Sequence, residues 1–131
     1  MLNSEQTNKI KNLFKKYPEV KLAYLFGSQA KEEQGPLSDY DFAVYLDEIS
    51  KKEMNQIKFK LQGEIAKLLK TDEVDVVVLN SLQKPELKYN IIKNGELLIE
   101  KEPYKLLVEP KILNEYFDFR QMLKQHNLTK V

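Results

Sequence analysis

The residues best placed to do chemistry lie between Gly27 and Asp41. Gly27-Ser28 is followed by ten residues and then by Asp39-Tyr40-Asp41. An apolar run, Leu22-Ala23-Tyr24-Leu25-Phe26, precedes the Gly-Ser pair, and Phe42-Ala43-Val44 follows the acids. This order reads as strand, turn, polar loop, strand. In a strand, residues two apart point to the same face, so Asp39 and Asp41 aim at one spot and Tyr40 turns the other way into the core. Two carboxylates this close repel and call for a positive partner. A hard divalent cation fits, because Mg²⁺ takes oxygen ligands and is commonly held by one or two carboxylates plus substrate phosphates. The Gly-Ser turn supplies the phosphate side. Gly27 lets the backbone approach closely. Ser28 offers a hydroxyl and can open a helix whose free N–H groups attract anions.

A third acid stands further along, in Asp72-Glu73-Val74-Asp75-Val76-Val77-Val78-Leu79. A run so rich in β-branched residues belongs in or beside a sheet core, where an isolated carboxylate is costly unless paired or metal-bound. Asp75 is the preferred candidate, with Asp72 and Glu73 as alternatives if the strand starts earlier.

The pattern Gly27-Ser28-x₁₀-Asp39-x-Asp41 resembles the motif of the polymerase-β-like nucleotidyltransferase superfamily. The chain's small size is similar to the minimal nucleotidyltransferase (MNT) branch, whose members often pair with a HEPN-domain toxin. Asp75 matches that family's third carboxylate in position and context. The resemblance spans about Val20 to Glu100 and includes a helix-Gly-strand ending around Ile91, Gly95 and Ile99. It implies a mixed β-sheet of about four strands with flanking helices, an α/β (α+β) arrangement. It implies transfer of AMP from ATP to a hydroxyl, with Asp39, Asp41 and Asp75 as catalytic and metal-binding residues. Gly27 and Ser28 would hold the nucleotide's phosphates. Two Mg²⁺ ions would be expected, as in other sites where paired metals clamp an in-line displacement. The implied acceptor is a tyrosine of a HEPN ribonuclease toxin, which makes the chain its antitoxin. A non-catalytic antitoxin acting by contact, or an enzyme acting on a small molecule or an RNA end, are the competing readings. Family members often carry arginine where this chain has Gln29 and Lys31, which changes the phosphate contacts expected near Ser28.

Elements must hold these residues in place. A helix capped by Ser4 is expected to about Lys16, with Ile10, Leu13 and Phe14 inward at one-face spacing, and Pro18 ending it. Strands are expected over Lys21 to Phe26, Asp39 to Leu46, Val74 to Leu79 and Leu97 to Glu100, with a short helix starting at Ser28. Ser50 should cap a long amphipathic helix to Lys70, with Met54, Ile57, Leu61, Ile65, Leu68 and Leu69 toward the core. Ser81 should open a helix over about Pro85 to Lys93, with Gly95 as its C′ residue. Pro103 and Pro110 should break the chain before a last helix, about residues 111–125. On that helix Ile112, Leu113, Tyr116 and Leu123 share a face interrupted by Arg120, and Phe119 and Met122 widen it. Such a helix either packs as core or docks a partner or a second copy.

Composition narrows the class. The chain has 131 residues, an expected single domain over 1–131. With 21 basic and 20 acidic residues its net charge is +1, which gives no electrostatic case for strong nucleic-acid binding. There are no cysteines, which excludes disulfides and Cys-based zinc sites and is compatible with a cytoplasmic protein. The N-terminus lacks the basic and apolar regions of a signal peptide. No apolar run reaches the roughly 18 residues of a membrane span, so no membrane partner is expected. The single histidine, His126, sits among polar residues and is read as solvated.

Overall fold

The computed structural model describes residues 2–27, 40–47 and 49–126. Ser28, Gln29, Lys31 and Asp39, with the short helix expected at Ser28, lie outside the described residues. The elements are α1 (Ser4–Lys15), β1 (Val20–Phe26), β2 (Tyr40–Leu46), α2 (Lys51–Leu69), β3 (Val74–Val78), a 3₁₀ turn (Leu79–Ser81), α3 (Pro85–Asn94), β4 (Glu96–Glu100) and α4 (Tyr104–Gln125).

The four strands form one mixed sheet in the order β3-β2-β1-β4. β1 pairs antiparallel with both β2 and β4, while β2 and β3 run parallel. Parallel neighbours need a crossover, and α2 is that crossover. Helices cover both faces. On one face α1 and α2 bury Phe14, Leu61 and Ile65 against Leu25, Phe42, Val44 and Val76. Phe14 and Phe42 meet edge to face with ring centroids 6.1 Å apart. On the other face Ile91 of α3 and Val108 and Ile112 of α4 pack on Leu22, Tyr24 and Ala43. Each fully buried side chain of this size contributes about 1.5–3 kcal/mol, so the two cores hold the sheet rigid between its helix layers.

Local chemistry sets the boundaries, in several places differently from the sequence reading. Asn3, not Ser4, caps α1: its side chain accepts from Gln6 N at 2.7 Å and Gln6 Oε1 accepts from Asn3 N at 3.1 Å, a reciprocal capping box. Ser50 caps α2 as expected, accepting from Glu53 N. Leu68, expected inward, is exposed, because the face of α2 that meets the sheet is carried by Met54, Leu61, Ile65 and Leu69. α3 starts at Pro85 without a side-chain cap; Ser81 belongs to the 3₁₀ turn that follows β3. Gly95 ends α3 in an extended conformation and not in the left-handed one. Its glycine is required by space, since a Cβ there would collide with the Ile91 carbonyl oxygen and crowd that of Leu25.

The largest departure is α4. It begins at Tyr104 and runs through Pro110, which was expected to break it. A proline inside a helix forfeits one backbone hydrogen bond and crowds the carbonyl four residues earlier. Here packing outweighs that cost. Val108 and Ile112, on either side of Pro110, are both buried, and the Tyr24 hydroxyl donates to Glu109 Oε2 at 2.7 Å. The first turn is tied to the sheet by the Tyr104 hydroxyl, which donates to Asp47 Oδ1 at 3.1 Å. Further along, Tyr116 stacks on Tyr89 of α3 at 3.9 Å between centroids, and Lys88 pairs with Glu115 at 2.7 Å.

Candidate active site

Strand β2 is central in the sheet, and its first residues stand at the end where β1 turns away at Gly27. The antiparallel register sets Asp41 beside Phe26, the last residue of β1. The parallel register sets Asp41 directly beside Asp75 of β3. Cross-strand partners share a face. Asp41 and Asp75 therefore sit side by side on the face that α3 and α4 cover further down, in line with Ala43 and Val77.

Asp72 and Glu73 precede β3 and are exposed. The Glu73 carbonyl accepts from Tyr40 N at 3.0 Å, which starts the β2–β3 pairing two residues before Asp75. The register thus brings Asp75, and neither alternative, opposite Asp41. Tyr40 points to the opposite face and packs on the α1–α2 core. His126 is exposed at the end of α4. Asp39 and Ser28 lie outside the described residues, so two of the three acids and one of the two residues expected to contact phosphate are placed.

Asp41 is half-buried. Burial pushes its carboxyl above the usual carboxylate range, and the neighbouring Asp75 carboxylate adds to the push. Neither acid forms a salt bridge to a protein cation among the described residues. An uncompensated acidic pair, half out of water and made only of oxygen donors, fits a hard divalent cation such as Mg²⁺. Among the described residues no cluster of three or more potential metal ligands occurs. Gly27 completes the described part of the site. Its φ is +80°, a left-handed conformation that glycine tolerates, and its Cα lies against the Asp41 carboxylate.

Sequence reasoning missed that contact between Gly27 and Asp41, since nothing in a linear spacing reports how closely a turn passes over a later strand. It also missed Asn80. The Asn80 side chain accepts from Leu46 N and donates to Leu46 O, both at 2.9 Å, and so closes the open end of β2 opposite the acids. Its role is structural.

A family model described as "Polymerase beta, Nucleotidyltransferase" matches residues 8–104. No curated protein matches the sequence. Among solved structures, the fold is similar to a chain in the crystal structure of a mutant MntA–HpeT toxin–antitoxin complex, with 27% identity, a TM-score of 0.74, and coverage of 95% of this chain and 94% of that one. It is similar to a chain of a toxin–antitoxin structure with AMP-PNP, at 26% identity and a TM-score of 0.70, covering 95% and 94%. It is also similar to a chain of the tri-AMPylated Shewanella oneidensis HEPN toxin in complex with MNT antitoxin, at 25% identity and a TM-score of 0.71, again covering 95% and 94%.

Proposed function

The chain belongs to the polymerase beta nucleotidyltransferase family, and on that premise we propose that it is an antitoxin that transfers AMP from ATP to a tyrosine hydroxyl of a partner HEPN toxin. The observation that carries this reading is the side-by-side placement of Asp41 and Asp75 with Gly27 against Asp41, in a fold similar over 95% of the chain to chains from MntA–HpeT and HEPN–MNT complexes. One of those neighbours contains an ATP analogue and another an AMPylated toxin, which supports ATP as donor and a protein as acceptor.

Asp39, Asp41 and Asp75 would hold Mg²⁺, with two ions expected. When bound, such ions neutralise charge on the attacking and leaving oxygens of an in-line displacement. Asp39 and Asp41 serve the nucleotide, and Asp75 the acceptor side. Gly27 and Ser28 carry the phosphate contacts of the nucleotide. The acceptor oxygen forms a bond to the α-phosphorus while the bond to the bridging oxygen of the β-phosphate breaks. Pyrophosphate leaves and the hydroxyl proton passes to solvent. Positioning and charge neutralisation provide most of the acceleration in such chemistry, so no cysteine or histidine nucleophile is needed.

A contact role accompanies catalysis in this reading. Leu106 is 79% exposed, Phe117 56% and Met122 44%, so α4 presents apolar surface that its own sheet does not cover. That surface suits docking of the toxin or a second copy. It also supports the rival reading, an antitoxin that acts by contact alone. The deciding experiment incubates the chain, ATP and Mg²⁺ with the candidate toxin, repurifies the toxin, and records its intact mass and ribonuclease activity. Mass increments of one AMP on a toxin that stays inactive after separation are expected. A double variant, Asp39→Asn with Asp41→Asn, should leave none. Full protection of cells by that double variant would show that contact alone is the function.

A further inference from the structure

Gly27 meets two separate demands. Its φ of +80° is one, and any tight turn of this kind would impose it. The other is space: a Cβ built on its backbone would fall 2.6 Å from Asp41 Oδ2 and 3.3 Å from Asp41 Cγ. Those atoms are the carboxylate at the end of the Asp41 side chain, so it is the side chain that would have to move. Asp41 is held on β2 by its pairing to Phe26 on one side and Asp75 on the other, so its backbone is not free to retreat.

We infer that Gly27 is a positioning residue for Asp41, its bare Cα leaving the space in which the Asp41 carboxylate rests beside Asp75. This is a role additional to phosphate approach, and it rests on the reading of Asp41 as a metal-holding acid. An alanine at position 27 would force the Asp41 side chain into another rotamer and turn its oxygens away from the shared site. The fold supports this, because Gly27 directly follows the last residue of β1 and Asp41 lies within β2, and backbones held by sheet pairing shift less readily than a side chain.

The test is a pair of double-mutant cycles on the full chain: Gly27→Ala, Asp41→Ala, Asp41→Asn, and Gly27→Ala combined with each. The first readout is Mn²⁺ binding without nucleotide, followed by the electron paramagnetic resonance signal of the free ion. Gly27→Ala should weaken Mn²⁺ affinity by about tenfold or more, the scale seen when groups that orient a metal ligand are removed. In the Asp41→Ala background it should cause no further loss, since residues acting through one contact are non-additive. The second readout is the melting midpoint in metal-free buffer. The drop caused by Gly27→Ala should persist with Asp41→Asn, which keeps the side chain's shape, and shrink with Asp41→Ala, which removes it. If Gly27→Ala does not fold, recovery of folding in the double variant with Asp41→Ala supports the inference, and failure of both overturns it. Equal losses of Mn²⁺ affinity from Gly27→Ala in both backgrounds, or equal melting drops in all three, also overturn it. Failure of the metal reading is distinct: Asp41→Ala would then leave Mn²⁺ affinity unchanged, while the melting cycle would still decide the contact.

Discussion

Asp41 is the residue whose surroundings say most. Burial, and after it the adjacent Asp75, favours its neutral form in the folded protein relative to the unfolded chain. A raised folded-state pKa means that this group's contribution is fully present below the unfolded carboxylate pKa and is lost as pH rises through the folded value. At neutral pH the charged Asp41 therefore destabilises the metal-free protein. Asp41→Asn should raise the melting midpoint in EDTA at pH 7, and the advantage should fade as pH drops through the carboxylate range, as calorimetry at several pH values would show. The same change should cost at least about 100-fold in the proposed AMP transfer, the scale of losing one group that stabilises transition-state charge. The proposed function gives Asp75 a different share. Asp75→Asn should keep much of the ATP affinity measured by titration calorimetry yet lose transfer, because an acceptor-side interaction matters mainly in the transition state. Loss of ATP binding as great as that of Asp41→Asn would contradict this assignment.

Among the elements, α4 shows how packing overrides local propensity. It carries two stripes. Val108 and Ile112 pack on the sheet and Tyr116 stacks on Tyr89 of α3, whereas Leu106, Pro110, Leu113 and Phe117 recur at intervals of three and four residues along another side. Pro110 lies on the outer stripe and is exposed, which is where a helix best tolerates a missing N–H. Proline costs about 3 kcal/mol relative to alanine in a helix interior, and stiffening of the unfolded chain returns up to about 1 kcal/mol. Pro110→Ala should therefore stabilise the protein by about 2 kcal/mol in urea unfolding. No change, or a loss, would mean that the proline sets a bend on which the packing of Val108 and Ile112 depends.

At the scale of the whole molecule, the sheet separates two tasks. One end of β1, β2 and β3 gathers Gly27, Asp41 and Asp75; the opposite end is closed by Asn80 on Leu46 and by Tyr104 on Asp47. No helix among the described residues is long and apolar enough to cross a membrane, so the exposed apolar surface of α4 is not a membrane span. Phe117 makes tilted aromatic contacts with Tyr89 and Tyr116 at the edge of that surface. Phe117→Asp should leave the melting midpoint nearly unchanged, as exposed substitutions do. It should weaken association with the proposed HEPN partner by about 1–2 kcal/mol in a pull-down or calorimetric titration, the scale of one aromatic interface residue. An unfolded Phe117→Asp would show that the aromatic cluster is core, and unaltered toxin binding would move the docking surface elsewhere.

The spacing of Gly27, Asp41 and Asp75, the alternation of strands and helices, and the inward faces of α1 and most of α2 were determined by the sequence itself. They are local properties, set by periods of two and 3.6 residues and by the cost of burying charge. Strand order and register were not. That Asp75 faces Asp41 while Asp72 and Glu73 do not depends on how two strands separated by a 19-residue helix align, which only packing decides. The persistence of α4 through Pro110 depends on side chains from β1 that bury its inner stripe. The fit of Gly27 against the Asp41 carboxylate depends on both at once, since a turn and a strand 14 residues apart meet only when the sheet is assembled.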